Sequence, residues 1–447
     1  MIVSRAGLAG MGIADAIMVA RFNPGEFATL SLADGTLGRV NDVFVAFVLG
    51  GLILVPRAFG AGDLAACARI WRRAMLAAIG LGFVATAIGL CGGGIFHALG
   101  QGAYLTAGAG RISAILAFGY VAGLVAIATA VFLEGMRRPT IVAAGVVIAN
   151  ILNIALNWLL IGGNLGLPAM GAAGSALSTT LVRIMLAIVL AAYAARLCAT
   201  SSRRAETAAQ PALETVPAVA SDQHRLGFAN AAVTAAMIPL TASLLVFAGW
   251  LGPLAVAVLS ATLRLNAPVM LVFLGIADAT GIEVAARAGD AATRAGARGA
   301  SSERSAVVAT CGIIAVLIVV IIVVWTAVPR ALASIFTPDH AMQDGLVKLI
   351  PIGSLLLALD AICVVFASSL RALRDIAWPT GIELSTMVAL VPTAAWLAFR
   401  AGQGVSGLLL AAVLTAVPRA VGLWWRFWWL TRPSLAQHTI PLVGEPS

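Results

Sequence analysis

A chain of 447 residues that is 61% apolar and 11% charged, with a mean hydropathy of +1.01, is not a soluble globular domain. Its apolar runs are continuous rather than alternating, which also excludes a membrane β-barrel. The formal charge of +9 comes almost wholly from arginine, Lys348 being the sole lysine. With no aromatic-and-basic stripe beside it, that charge reads as loop arginines that set membrane topology rather than as a nucleic-acid surface.

About 20 apolar residues span a bilayer as a helix. Twelve such segments are expected in chain order: 2–22, 37–58, 73–96, 112–134, 140–162 and 169–195, then a polar stretch, 196–226, then 227–250, 254–279, 305–328, 347–370, 378–399 and 405–430. The fold class is therefore all-α membrane protein, with an N-terminal six-helix lobe (1–195), a cytoplasmic linker (196–226) and a C-terminal six-helix lobe (227–447). The linker is rich in Ala, Ser, Pro and Glu, which predicts a flexible connection. Loops after even-numbered helices hold sixteen arginines, among them Arg57, Arg69, Arg137, Arg138, Arg203, Arg287 and Arg371. Loops after odd-numbered helices hold six basic residues or fewer. The even loops and both termini are expected on the cytoplasmic side of the inner membrane. Trp424, Trp425, Trp428 and Trp429 close the last helix as an interfacial belt.

The halves echo each other. AFGAGDLAACAR (58–69) resembles AARAGDAATRAG (285–296), Ile95-Phe96 is matched by Ile335-Phe336, and GMRRPT (135–140) by ALRDIAWPT (372–380). Both halves start inside, so the repeat is parallel, an arrangement that places transport sites within or between the lobes.

Nucleotide, hydrolytic and metal chemistry find no support. There is no GxxxxGK[ST], HExxH or CxxC run, the four histidines fall in predicted loops, linker or tail, and the five cysteines are scattered. No enzyme activity and no bound cofactor are expected, and no cleavable signal pattern is present. The first helix begins at Met1 itself, so either it is short or upstream turns precede it.

What remains is polar residues inside spans. Asp15 lies in the first helix and Asp360 in the tenth, each flanked by apolar residues on both sides. An acid there costs on the order of 3 kcal/mol to insert and is a functional candidate by default. It can take up and release a proton or, with amide oxygens nearby, ligate Na⁺. Asn150, Asn153 and Asn157 lie within roughly a 60° stripe of the fifth helix. At 1.5 Å per residue Asp15 stands about 21 Å above the inner surface, Asn153 about 20 Å and Asn157 about 26 Å, so carboxylate and amides can share a level. Arg264 and Arg183 are candidate cavity charges. Arg39 and Asp42, near the expected outer end of the second helix with Asp34, read as a surface ion pair.

The run Asn150 to Thr179, with GMGIADAIMVARF (11–22), FGAGD (59–63), EGMRRP (134–139) and DAICVVFASSLRALRD (360–375), resembles the multidrug and toxic compound extrusion (MATE) family of secondary transporters. The resemblance covers nearly the whole chain. It implies two pseudo-symmetric six-helix bundles arranged as a V, and a monomer that exports small organic, often cationic compounds in exchange for H⁺ or Na⁺. The family's first-lobe cation site maps onto Asp15, Asn153, Asn157 and Thr179, and its second-lobe acid onto Asp360. Where members with a second-lobe site carry a helix-seven glutamate, this chain has Met237. A flippase of lipid-linked precursors on the same two-lobe plan is the alternative. It would call for several basic cavity residues, of which Arg264 and Arg183 are the evident ones.

Overall fold

The structure is a computed structural model that describes residues 2–52, 54–207, 216–293 and 298–432. It is helical throughout, with no strand among the described residues. The first half runs α1 (Ile2–Phe22), α2 (Pro24–Ala33), a π-helical turn (Asp34–Gly38), α3 (Arg39–Leu52), α4 (Leu54–Gly60), α5 (Leu64–Leu90), α6 (Gly92–Ala98), α7 (Ala103–Ala117), α8 (Tyr120–Gly135), α9 (Pro139–Ile161) and α10 (Ala172–Thr207). The second runs α11 (Val216–Leu251), α12 (Pro253–Thr293), α13 (Arg298–Ala327), α14 (Pro329–Phe336), α15 (His340–Ala372), α16 (Ala377–Ala395) and α17 (Gly404–Leu430). Ten helical stretches among the described residues are long and apolar enough to cross a membrane, and α7 with α8, bent by 50°, makes an eleventh. Adding α1, 21 residues long, the count is consistent with twelve crossings.

Three boundaries differ from expectation, each for a local reason. The second span is Pro24–Gly60 rather than 37–58. Asn23 caps it, its side chain accepting from Gly25 N at 2.7 Å and Glu26 N at 3.2 Å, and Pro24 supplies the preset φ of a first helical residue. The glycine-rich Asp34–Gly38, which looks like a break, is accommodated as a π turn inside the span. The third span starts at Leu64, where Asp63 caps by accepting from Ala66 N at 2.7 Å, so the FGAGD motif is a turn and a helix cap. Most of the expected linker is helical: α10 continues to Thr207 and α11 begins at Val216, leaving 208–215 outside the described residues. The second copy of the AGD repeat (285–296) also falls partly outside them. The remaining repeat landmarks have like conformations. Arg137 and Arg374 both adopt positive φ (57° and 64°), and Phe96 and Phe336 are both buried at the ends of the short helices α6 and α14.

The chain forms two compact units, Met1–Arg264 with Ala333–Gly345, and Leu265–Leu332 with Leu346–Ser447. α11 belongs with the first unit because it packs along α3, where Asn230 donates to the Ala46 carbonyl at 2.6 Å and Gly50 meets the backbone of Leu226 and Gly227, and because Gln223 reaches α5, donating to the Ile70 carbonyl at 3.1 Å. The core of the first unit is built from α3, α5, α8, α9 and α10, with Trp71 stacked on Phe132 at 5.4 Å between ring centres. In the second unit Phe273, Phe366, Leu370 and Phe427 fill the core contributed by α12, α13, α15 and α17.

One hairpin sets up the site. Between α9 and α10 the chain turns through Gly163 in the left-handed region (φ 69°), and Met170 N and Gly171 N return hydrogen bonds to the carbonyls of Leu160 and Ile161. Gly174 lies so close to the end of α9 that a Cβ there would stand 2.7 Å from the Leu160 carbonyl oxygen and 2.8 Å from its carbon. Glu26 of α2 then caps α10, accepting from Ala172 N at 3.0 Å, a carboxylate at the positive end of a helix. Gly174→Val should force the hairpin apart and cost about 1–3 kcal/mol or more, read as a lowered melting temperature in detergent. A melting temperature equal to the wild type would show that the approach is slack.

Candidate functional site

Thr179, Asn157 and Asp15 come together from three helices. α1 packs against α9, and α10 returns beside α9 through the hairpin. Asn157 and Asn153 are one turn apart on the buried face of α9, both wholly inaccessible. Asn157 Nδ2 donates to Asp15 Oδ1 at 2.5 Å and lies 3.2 Å from Asn153 Oδ1. Thr179 Oγ1 donates to Asp15 Oδ2 at 2.9 Å. Each carboxylate oxygen of Asp15 therefore has one donor. Ser178, which the sequence reading passed over, fixes Asn153: Nδ2 donates to its hydroxyl at 3.3 Å, and that hydroxyl donates to the Asn153 carbonyl at 3.2 Å. Asn157 Oδ1 is buried with no donor. An unfilled acceptor beside a carboxylate is a feature a small cation could satisfy.

Asn150 does not join this group. It is half-buried and donates to the Val146 carbonyl of its own helix at 2.8 Å, a local bond that needs no partner helix. A 60° stripe is wide enough for its ends to face different neighbours.

Asp15 and Thr179 lie on the wall of a cavity of about 1000 Å³ inside the first unit. Most of its lining is apolar, from α1, α3, α8, α9 and α10. Its charged residues are Asp15, Asp34, Glu134, Arg137, Arg183 and Arg264. Such a volume, apolar with a few placed charges, suits an organic molecule of drug size.

Arg264 is at the cavity wall but is not free. It donates to the Gly12 carbonyl at 2.7 Å and to Asp34 Oδ2 at 3.1 Å. Asp34, expected near the outer end of the second helix, is instead ten residues into that span, at the start of the π turn, because the span begins at Pro24. Sequence reasoning could have found it from the Asn23-Pro24 start signal. Arg39 and Asp42 form a partly exposed pair at 3.6 Å, i and i+3 on one helix.

In the second unit Asp360 of α15 is bound to the Arg419 guanidinium of α17. Asp360 was an expected site acid; its partner Arg419 was not expected. Arg419 sits in an apolar run after Pro418, and that intramembrane position was the available signal. Met237 accepts, through its carbonyl, from Thr241 of the same helix. The tryptophans that end α17 form a belt with arginines: Arg304 lies over Trp428 at 4.5 Å, Arg426 over Trp429 at 4.8 Å, and Trp424 and Trp425 remain exposed.

Membrane-crossing helices folded round a cavity, with a carboxylate held by an amide and a hydroxyl on its wall, define a membrane transporter. The chain matches the MatE family model over residues 1–159 and 231–396, and it belongs to that family, whose members are transporters and not enzymes. It is 29% identical over 429 residues to the probable multidrug resistance protein NorM of Caulobacter vibrioides, covering 96% of this chain and 89% of that protein. It is 26% identical over 445 residues to the probable multidrug resistance protein NorM of Agrobacterium fabrum, covering 94% and 90%. Among solved structures, an inward-facing multidrug resistance MATE transporter of the MOP superfamily has the same fold, with a TM-score of 0.81 at 17% identity over 96% of each chain. A MOP superfamily transporter from Pyrococcus furiosus, described as having a binding pocket of reversed polarity, superposes with a TM-score of 0.68 at 18% identity over 98% of this chain and 96% of that one.

Proposed function

We propose that this protein is a cation-coupled antiporter of the cytoplasmic membrane that exports small organic, amphipathic compounds, with H⁺ or Na⁺ bound at Asp15 as the driving ion. The observation that carries the reading is the Asp15 carboxylate, held between Asn157 and Thr179 on the wall of a drug-sized apolar cavity. The relatives named as multidrug resistance proteins support the same cargo class.

Coupling follows from linkage. A cation that binds one access state more tightly than the other shifts the population toward it, and cargo must do the opposite for exchange to run. Asp15 is suited to the first role: its charge changes when an ion arrives, and its two donors come from helices other than its own. Asn153 and Ser178 orient the Asn157 amide. The arginine-rich even loops support a cytoplasmic position for both termini, and a monomer is part of this reading. A phosphate-bearing cargo fits less well, because Arg264 is engaged by Asp34 and the cavity also presents Asp15 and Glu134.

The test is transport in proteoliposomes under an imposed pH gradient, then under an imposed Na⁺ gradient. Efflux of a cationic dye is expected with one gradient and not with neither. Dye movement indifferent to both gradients would sink the antiport reading. Movement of a lipid-linked sugar without an ion gradient would favour a flippase.

A further inference from the structure

The second unit holds an acid that looks like another ion site and is already occupied by the protein's own cation. Asp360 and Arg419 are each deep in long helices, about 30 Å along α15 and about 22 Å along α17 at 1.5 Å per residue. Arg419 is 9% exposed, and its guanidinium is bonded to Asp360 Oδ1. The Asp360 side chain is 33% exposed and reaches over the more deeply set arginine. Asp15, by contrast, is hydrogen-bonded by neutral groups, an amide and a hydroxyl, while Arg264 acts on it without a direct bond and is itself engaged by Gly12 and Asp34. Neutral donors leave a carboxylate its full charge for an incoming ion. A guanidinium cancels that charge permanently, because arginine does not deprotonate in proteins. The other titratable groups that act on the pair are Cys363, one turn along α15, and Glu383 of α16.

We propose that Arg419 is a tethered counter-ion that fills the cation position at Asp360, so that the transporter couples through Asp15 alone. This rests on the proposed function at Asp15 and adds a claim about stoichiometry that can fail separately. The arginine is a positioning group for the second unit's helices and, by the same contact, the residue that sets how many ions the protein carries. Such an arrangement pairs Asp360 with a cation that cannot leave, whereas a coupling acid must alternate between filled and empty.

The experiment counts ions and protonated carboxyls on the purified full-length protein. ²²Na⁺ binding and dicyclohexylcarbodiimide labelling, with the labelled peptide identified by mass, are measured on wild type, Asp15→Asn, Asp360→Asn, Arg419→Gln and Arg419→Lys. A protonated carboxyl in an apolar setting gives its proton to a carbodiimide nitrogen and adds through oxygen to the central carbon, and the O-acylisourea rearranges to a stable N-acylurea, so the reagent reports proton-binding acids even where Na⁺ does not bind. In the wild type, label or ion is expected at Asp15 and none at Asp360. Asp360→Asn should leave the count unchanged. Arg419→Gln should double it, with the gain at Asp360, and Arg419→Lys should restore the wild-type count. Label on Asp360 in the wild type, loss of ion binding in Asp360→Asn, or a folded Arg419→Gln protein with no gain would each overturn the proposal. Should Arg419→Gln not fold, the wild-type label and the Asp360→Asn count decide alone. Failure of the Asp15 reading shows instead as an unaltered count in Asp15→Asn.

Discussion

Asp15→Asn is expected to reduce gradient-driven export to background while the protein still folds. The substitution keeps the shape of the side chain, and its carboxamide oxygen can still accept from Thr179 or Asn157. What it removes is the charge. An asparagine neither takes up a proton in the working range nor attracts Na⁺ as a carboxylate does. Removing an intramembrane charge also relieves an insertion cost on the order of 3 kcal/mol. The melting temperature in detergent should accordingly stay level or rise, which separates lost coupling from lost structure. Resistance conferred on a pump-deficient host and dye efflux from proteoliposomes both read the effect. Wild-type efflux by Asp15→Asn would remove this residue from the coupling step.

Asn157→Leu should have the next largest effect, on ion affinity more than on turnover. Leucine keeps the branch at Cγ but is larger than asparagine, so a melting temperature in detergent must show that α9 still packs against α1 and α10. Asp15 loses a charge-assisted hydrogen bond, a contact worth about 1.5–3 kcal/mol. Asn153 Oδ1 loses its donor, and the unfilled Asn157 Oδ1 disappears. The half-saturating concentration of the driving ion is expected to rise on the order of tenfold to a hundredfold, as for groups that orient a metal ligand. Thr179→Val removes one neutral donor and should shift it less. Because all these groups meet on one carboxylate, the double variant should not be the sum of the singles. Titration of efflux against the driving ion measures this. A fall in maximal rate at unchanged ion affinity would place Asn157 outside the ion site.

The legible part of the site was the part written into one helix. Asn153 and Asn157 share a face of α9 because they are four residues apart, and an amide in hydrocarbon must point at protein or water. Asp15 stood out for the same reason. The second span starts earlier than its apolar run because Asn23-Pro24 is a helix start and the glycine-rich Asp34–Gly38 continues the helix as a π turn. With the start at Pro24, Asp34 moves from the outer end of the second helix to the cavity wall, where it binds Arg264. Ser178 and Arg419 were missed for a different reason. A serine among small residues and an arginine in an apolar run carry no local sign of what they touch.

From the residue order alone came the membrane class, the number of crossings, the α9 amide pair and the two intramembrane acids. Each depends on an apolar run of about 20 residues or on the 3.6-residue turn, and both are local. Only the folded chain decided that Asp15 meets Asn157, 142 positions away, and Thr179, 164 away, that Arg264 is held by Asp34, and that Asp360 is neutralised by Arg419. Helices that are apolar all round carry no stripe to say which face turns inward. In a bilayer, close packing and polar contacts between helices settle that choice, and those exist only once the helices have met.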